Sequence, residues 1–189
     1  MILSIVAAVL HGVAYVIYLS QVHHGGSVPN PASWTVWAFL AGLNAFSFWK
    51  ASKDPIATAQ FFTGSVACLV VWIYSMIAGR FSALDSVGFG VLYASAVACV
   101  VWWATEAIYA NIVVATIMLI SSIPTVQGVW QDGGVERALP WYLWTLAFTI
   151  TSVNVMHRAD KGQSRWWLLM VTPVSCVALH AAVAVAAKW

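Results

Sequence analysis

Two tryptophan pairs, Trp34 and Trp37 in SWTVW and Trp141 and Trp144 in PWYLW, each follow a Gly-Gly loop and open a long apolar run. An indole is a flat apolar plate with one N–H donor, suited to stacking on a planar solute and offering it a hydrogen bond. On a helix turning about 100° per residue, Trp34, Trp37, Ala41, Asn44 and Phe48 share one face. Trp141, Trp144, Phe148, Thr151 and Val155 form the matching stripe. Each stripe thus has two indoles and, about two turns deeper, one polar group, Asn44 or Thr151. If the stripes face each other, Trp37 and Trp144 stack on a solute while Asn44 and Thr151 hydrogen-bond to it. Two plainer readings stand beside this one: tryptophans anchor helix ends at membrane interfaces, and an asparagine can bridge two helices.

Histidines offer a second chemistry. His11 shares a face with Ser4, Tyr15 and Tyr18, and His180 shares one with Thr172 and Cys176. Inside an apolar run an ionisable group is a candidate for proton coupling or solute binding, and equally for a neutral imidazole bonded between helices. His11 and His180 as a pair of haem ligands is a third, weaker option. His23 and His24 lack a third ligand, so no metal site is expected. Glu106 is expected at an interfacial turn, and Asp132, Glu136 and Arg137 in a solvated loop. Cys68, Cys99 and Cys176 lie in apolar runs without a CxxC and read as small buried residues. No GxSxG, HExxH or pair of intramembrane carboxylates occurs, so no enzyme and no cofactor is expected. The last apolar run has no internal lysine for a retinal, since Lys188 stands at its very end.

What positions these groups follows from composition. The chain of 189 residues is 62% hydrophobic and 7% charged, with mean hydropathy +0.85. A soluble domain carries about 25% charged residues. So few charges cannot cover a water-facing surface, which makes this an integral, multi-pass membrane protein. A net charge of +2 with no basic run argues against nucleic-acid binding. A span needs about 20 apolar residues, and the pattern predicts helices over roughly 2–20, 33–50, 56–79, 86–104, 141–156 and 165–187. A further helix is predicted between 105 and 129. The 86–124 stretch is too long for one span, and the polar Thr105-Glu106, with Asn111 nearby, marks the turn. Period-2 alternation is absent, so the class is all-α with seven transmembrane helices. The first helix lacks a basic n-region and a cleavage site, so it is read as retained.

The repeated phrase extends further. Gly25-Gly26 and Gly133-Gly134, Trp34 and Trp141, Trp37 and Trp144, and Cys68 and Cys176 are each separated by 107 or 108 positions. The shared offset predicts two parallel triple-helix repeats joined by a linker helix, 3+1+3. The units are 1–80, 81–108 and 109–189. Parallel repeats are a plan of secondary transporters, with the solute between them near mid-membrane. The loops after the second and sixth helices carry Lys50, Lys53, Arg158, Lys161 and Arg165, against Arg80, Arg137 and Lys188 on the other side. That bias leans toward a cytoplasmic N-terminus.

The stretch IPTVQGVWQDGG, a short loop, then PWYLW opening the next helix resembles the PQ-loop pattern of the SWEET and SemiSWEET sugar facilitators. The three-one-three layout covers the whole chain and is similar to the SWEET plan, which the Pnu-type vitamin transporters share along with a Trp-x-x-Trp motif. The resemblance implies alternating access to a central pocket, with Pro31, Pro124 and Pro140 as hinges and Trp37 and Trp144 as pocket aromatics. The chain departs from the pattern in four ways. The Pro-Gln dipeptide is missing, Val16 stands where a first-helix proline would map, and Asn44 falls seven residues after Trp37. Gln60, Thr63 and Cys68, and Thr172, Cys176 and His180, occupy the helices where the sugar facilitators use asparagines.

The expected function is a uniporter or proton-coupled carrier of a small neutral or aromatic solute in a bacterial-type inner or plasma membrane. Its site would be formed by Trp37, Asn44, Trp144, Thr151, His11, Tyr15, Cys176 and His180. Besides the lipid bilayer, a second copy of the chain or another membrane protein stays open as partner. The alternative is a non-catalytic accessory or structural subunit of a larger membrane complex.

Overall fold

The computed structural model describes residues 2–158 and 166–187. It is all-helical, without a strand among the described residues, and has seven helices: α1 (Ile2–His23), α2 (Pro31–Ser52), α3 (Pro55–Ile77), α4 (Ser86–Trp103), α5 (Ala107–Gln131), α6 (Ala138–Arg158) and α7 (Trp166–Ala186). Lys161, Arg165 and Lys188, used above for orientation, lie outside the described residues. Short connections make successive helices antiparallel. We call the end where α1 begins proximal and the end where it finishes distal.

Local chemistry sets the boundaries. Asn30 caps α2, its Oδ1 accepting from the Ala32 and Ser33 amides at 3.0 and 3.1 Å. Pro31 follows at the first helical position, where a missing N–H costs nothing. Lys53 closes α2 in the left-handed region, with φ of 54°. Asp54 then caps α3, accepting from the Ile56 and Ala57 amides at 3.0 Å each. The same carboxylate accepts from Arg158 at the end of α6, Nε and Nη2 both 2.7 Å from Oδ2.

Asp54 is half-buried. Its partial burial works against ionisation, but the Ala57 and Ile56 amides and Arg158 outweigh it and hold the carboxyl below its ordinary value. A depressed carboxyl contributes stability that is fully present above its unfolded pKa and fades as pH falls through the folded one. Asp54→Ala is therefore expected to lower thermal stability by about 1 kcal/mol near neutral pH. The wild-type minus mutant difference should shrink as the pH falls through the depressed folded-state pKa of Asp54, and its ion-pair part should shrink in high salt, both readable in melting curves.

The turn predicted at Thr105-Glu106 falls between α4 and α5, with exposed Glu106 before the first residue of α5. Asn111 is not part of that turn. It lies inside α5 and is fully buried. Within α5, the helical hydrogen bonds lapse between Ser121 and Ile123. Pro124 supplies the cause, since it has no N–H for the Ile120 carbonyl and its ring crowds the preceding turn.

Each outer helix of the bundle is a lipid-type surface. Ile2, Val16, Val66, Ile77, Tyr93, Val100 and Trp103 are each at least 66% exposed, whereas His11, Asn44, Gln60, Asn111, Thr151, Asn154 and Thr172 are buried. An apolar exterior around a polar interior suits a bilayer rather than water. Five helices, α1, α3, α4, α5 and α7, are long and apolar enough to cross a membrane. These features fit an integral, multi-pass membrane protein. The other two, α2 and α6, carry more polar side chains because they are the innermost, and several of those side chains point at other helices.

The neighbours are specific. α3 packs against α1 and α2, and α7 packs against α5 and α6. α1 lies against α6, and α2 against α5. α4 sits outside, against α5 and α2. Glycines permit the closest approach of α1 and α3. A Cβ on Gly12 would meet Thr63 Cγ2 at 3.6 Å, and one on Gly64 would meet His11 Nε2 at 2.7 Å. Small residues at a helix crossing let backbones approach, which is how helices gain packing energy in lipid.

Candidate functional site

Between α1, α2, α3, α5, α6 and α7 lies a central hollow of about 50 Å³, room for a few water molecules. Of the residues the sequence singled out, Trp37, Asn44, Trp144, His11, Tyr15, Cys176 and His180 line it. Thr151 does not; it sits one layer toward the proximal end, bonded to protein. Phe61, Gly64, Cys68, Met118, Phe148 and Leu179 complete the apolar wall, with Trp34 and Trp141.

All four paired tryptophans are buried, none more than 5% exposed. Trp34 and Trp141 therefore face the interior and not the bilayer interface. They form the distal wall with Tyr15 and Tyr18. Tyr18 stacks on Trp34 at 4.8 Å, Trp34 meets Trp37 edge to face at 5.4 Å, and Trp141 meets Trp144 likewise at 5.0 Å. Tyr15 lies 4.8 Å from Trp144. The Trp37 indole N–H donates to the Met118 carbonyl at 3.4 Å, a long bond. That carbonyl lacks its usual helical amide because the break near Pro124 redirects the Ser122 amide to Leu119. The Trp144 N–H has no acceptor among the described residues, although Trp144 is only 2% exposed. The Trp34 N–H also lacks hydrogen-bond geometry, though the Tyr18 oxygen is near it. The Trp144 donor is the cleaner case.

Below the hollow, toward the proximal end, two polar clusters join helices. The Asn111 amide donates to Asn44 Oδ1 at 2.9 Å, and Thr172 donates to Asn111 Oδ1 at 2.9 Å, linking α2, α5 and α7. Gln60 joins α1, α3 and α6: its amide nitrogen is 3.0 Å from His11 Nδ1, and Thr151 donates to its Oε1. With Oε1 accepting from Thr151, the Gln60 amide must donate to His11, so His11 carries its proton on Nε2. His180 Nδ1 lies 2.6 Å from the Cys176 carbonyl, which can only accept, so Nδ1 carries that proton and Nε2 is left as an acceptor. Phe148 packs on both imidazoles, edge to His11 at 5.0 Å and face to His180 at 5.2 Å. The pair is therefore not disposed as axial ligands of one haem. His23 and His24 bond separately, to the Tyr74 hydroxyl and the Ser20 carbonyl.

Among the proposed hinge prolines, Pro31 and Pro140 occupy first turns, where they interrupt no helical hydrogen bond. Only Pro124 breaks a rod, and it does so behind Trp37.

A loop residue also overturns its sequence reading. Glu136 is not solvated but 1% exposed. Its Oε1 accepts from the Tyr18 hydroxyl at 2.8 Å and its Oε2 from the Trp141 indole at 3.2 Å. Burial pushes its carboxyl up to about 8, with the bonds from Tyr18, Trp141 and Ser27 pulling the other way. Neighbouring Asp132 and Arg137 are exposed, as the local composition suggested. Asn111 had one available signal, for it follows Ser4 by the repeat offset of 107 residues. Glu136 had none, because the matching loop residue in the first half is apolar.

Comparison with known proteins adds no identity: no family model, no curated protein and no solved structure matches the chain.

Proposed function

We propose that this chain is a small-solute carrier, a uniporter or a proton-coupled transporter. Two triple-helix halves, 1–80 and 109–189, rock about a shared aromatic hollow, with 81–108 as linker. The observation that carries the reading is the unpaired indole N–H of Trp144, buried at the hollow beside other ring faces. A buried donor without an acceptor costs about 1–3 kcal/mol, and an acceptor-bearing molecule in the hollow removes that cost. The neighbour pattern supports the duplication. Exchanging α1, α2 and α3 for α5, α6 and α7 turns the α1–α6 contact into α5–α2, and the α3 packing into that of α7. The two polar clusters behave alike under the same exchange in one respect, since each ties the second helix of one half to the first and third helices of the other.

The hollow at about 50 Å³ is smaller than any sugar or aromatic ring, so a solute enters only when the halves part. Binding then selects the parted conformation. The similarity to the SWEET plan fits this mechanism, and the membrane would be a bacterial-type inner or plasma membrane with the N-terminus cytoplasmic. The test is uptake into proteoliposomes of a panel of sugars, amino acids and vitamins. Saturable uptake of at least one compound above protein-free vesicles is expected; none across the panel removes the carrier.

A second reading, the accessory subunit, is favoured by α4, whose exposed stripe of Phe89, Tyr93 and Trp103 is 63%, 75% and 84% open. It expects a stoichiometric membrane-protein partner after mild detergent extraction.

A further inference from the structure

We propose that Glu136 is a proton-binding latch: ionised, it ties α1 to α6 at the distal end and keeps the hollow shut, and proton uptake releases it. This deepens the carrier reading and rests on it for its transport meaning, though its geometry stands alone.

The latch joins two halves through one side chain. Tyr18 belongs to α1 and Trp141 to α6, and both bond the same carboxylate. Tyr18 stacks on Trp34, and Trp141 contacts Trp144 and lines the hollow. An indole N–H only donates, so Oε2 must accept. Ionised, the carboxylate offers acceptors at both oxygens, and hydrogen bonds to a charged acceptor are about twice as strong as neutral ones. When a proton adds to either oxygen, the carboxyl becomes neutral and the distal wall is held less tightly.

A route for the proton exists. A recess of about 90 Å³, lined by Asn30, Ser82, Pro124, Thr125 and Val135 among others, reaches Glu136 from the distal face. Thr125 Oγ1 is buried there without a partner among the described residues, which suits a site for water. The groups around the carboxyl come from every packed element. α1 gives Tyr18, the α1–α2 loop gives Ser27 and α6 gives Trp141, while Asp132 and Arg137 of the carboxyl's own loop are exposed. Asp132 accepts from the Gly134 amide at 2.9 Å, and Arg137 runs along Gly26, its Nε 3.8 Å from a Cβ built there. From α7, His180 packs on Trp141 at 5.6 Å. Burial sets the titration of Glu136 near 8, inside the range a cell compartment spans.

The hollow already carries its own reporters, Cys68 and Cys176, while Cys99 on α4 lies elsewhere. Purified C99A protein in detergent is labelled with a water-soluble methanethiosulfonate from pH 6.5 to 9.5. Its rate is divided by that of the E136Q/C99A protein at the same pH, which cancels the thiol's own titration. The expected ratio is near one at low pH and falls about tenfold at high pH, as a charged hydrogen-bonded contact allows. Y18F/C99A, which keeps the carboxyl but loses a donor favouring its ionised form, is expected to move the midpoint upward. It also serves as the comparison should the E136Q protein fail to fold. A flat ratio, or a midpoint unmoved by Y18F, overturns the latch. If the ratio swings but no solute is taken up, the carrier falls and the latch stands; uptake with a flat ratio removes the latch alone.

Discussion

Trp144→Phe is expected to weaken solute binding about tenfold or more while lowering thermal stability by no more than about 1 kcal/mol. Phenylalanine keeps a ring in the stack beside Tyr15 and Trp141 and removes the N–H that meets no acceptor. Losing an unpaired buried donor is favourable, and losing part of the ring's volume is unfavourable, so the two effects on the unliganded fold oppose each other. With solute bound, the same N–H gains a partner, and its removal costs the full bond. Trp141→Phe is the control, because its N–H is paired to Glu136 Oε2 at 3.2 Å. Stranding that oxygen in a buried site is expected to lower stability by about 1–3 kcal/mol. Melting curves with and without solute separate the two variants. Equal stability losses in both would mean that the Trp144 donor is already satisfied and is no sign of a ligand.

Gly64→Ala is expected to destabilise the protein by about 1–3 kcal/mol, although it adds a single methyl group. The new Cβ would stand 2.7 Å from His11 Nε2. That imidazole cannot swing aside freely, since Gln60 bonds its Nδ1 and Phe148 and Tyr15 pack on it at 5.0 and 5.1 Å. Gln60 in turn accepts from Thr151 on α6, so a displaced His11 slackens the contact between α3 and α6. Gly42→Ala serves as comparison, because its Cβ would meet only Ser65 Oγ, at 3.4 Å. A lowered melting temperature for Gly64→Ala alone is the expected result. Equal melting temperatures for both variants would mean that the α1–α3 contact is looser than described.

Much of this architecture was written in the sequence because lipid makes demands that composition reveals. Seven apolar runs became seven helices, with ends set by Asn30, Asp54 and Asp85 as caps and by Pro31 and Pro55 at first helical positions. The 3.6-residue period put both tryptophan stripes on buried faces. Contacts between helices were less legible. Thr151 shares a face with Trp144, yet Gln60 reaches it first and takes it out of the hollow wall. Asn111 fell within the helix expected between 105 and 129, but the polar turn close by hid its bonds to Asn44 and Thr172. Glu136 was the hardest, for its charged neighbours suggested solvent and only the return of α6 beneath α1 buries it.

The most direct test is a paired thermal-shift screen of purified wild-type and Trp144→Phe protein against sugars, amino acids and vitamins. A ligand at about 100 times its dissociation constant adds about 2.7 kcal/mol to the folded state, a shift of several degrees. At least one compound is expected to raise the wild-type melting temperature and to raise that of Trp144→Phe by only about half as much or less, since tenfold weaker binding leaves about 1.4 kcal/mol. A panel that shifts neither protein, or shifts both alike, would contradict a solute-binding hollow built around that indole.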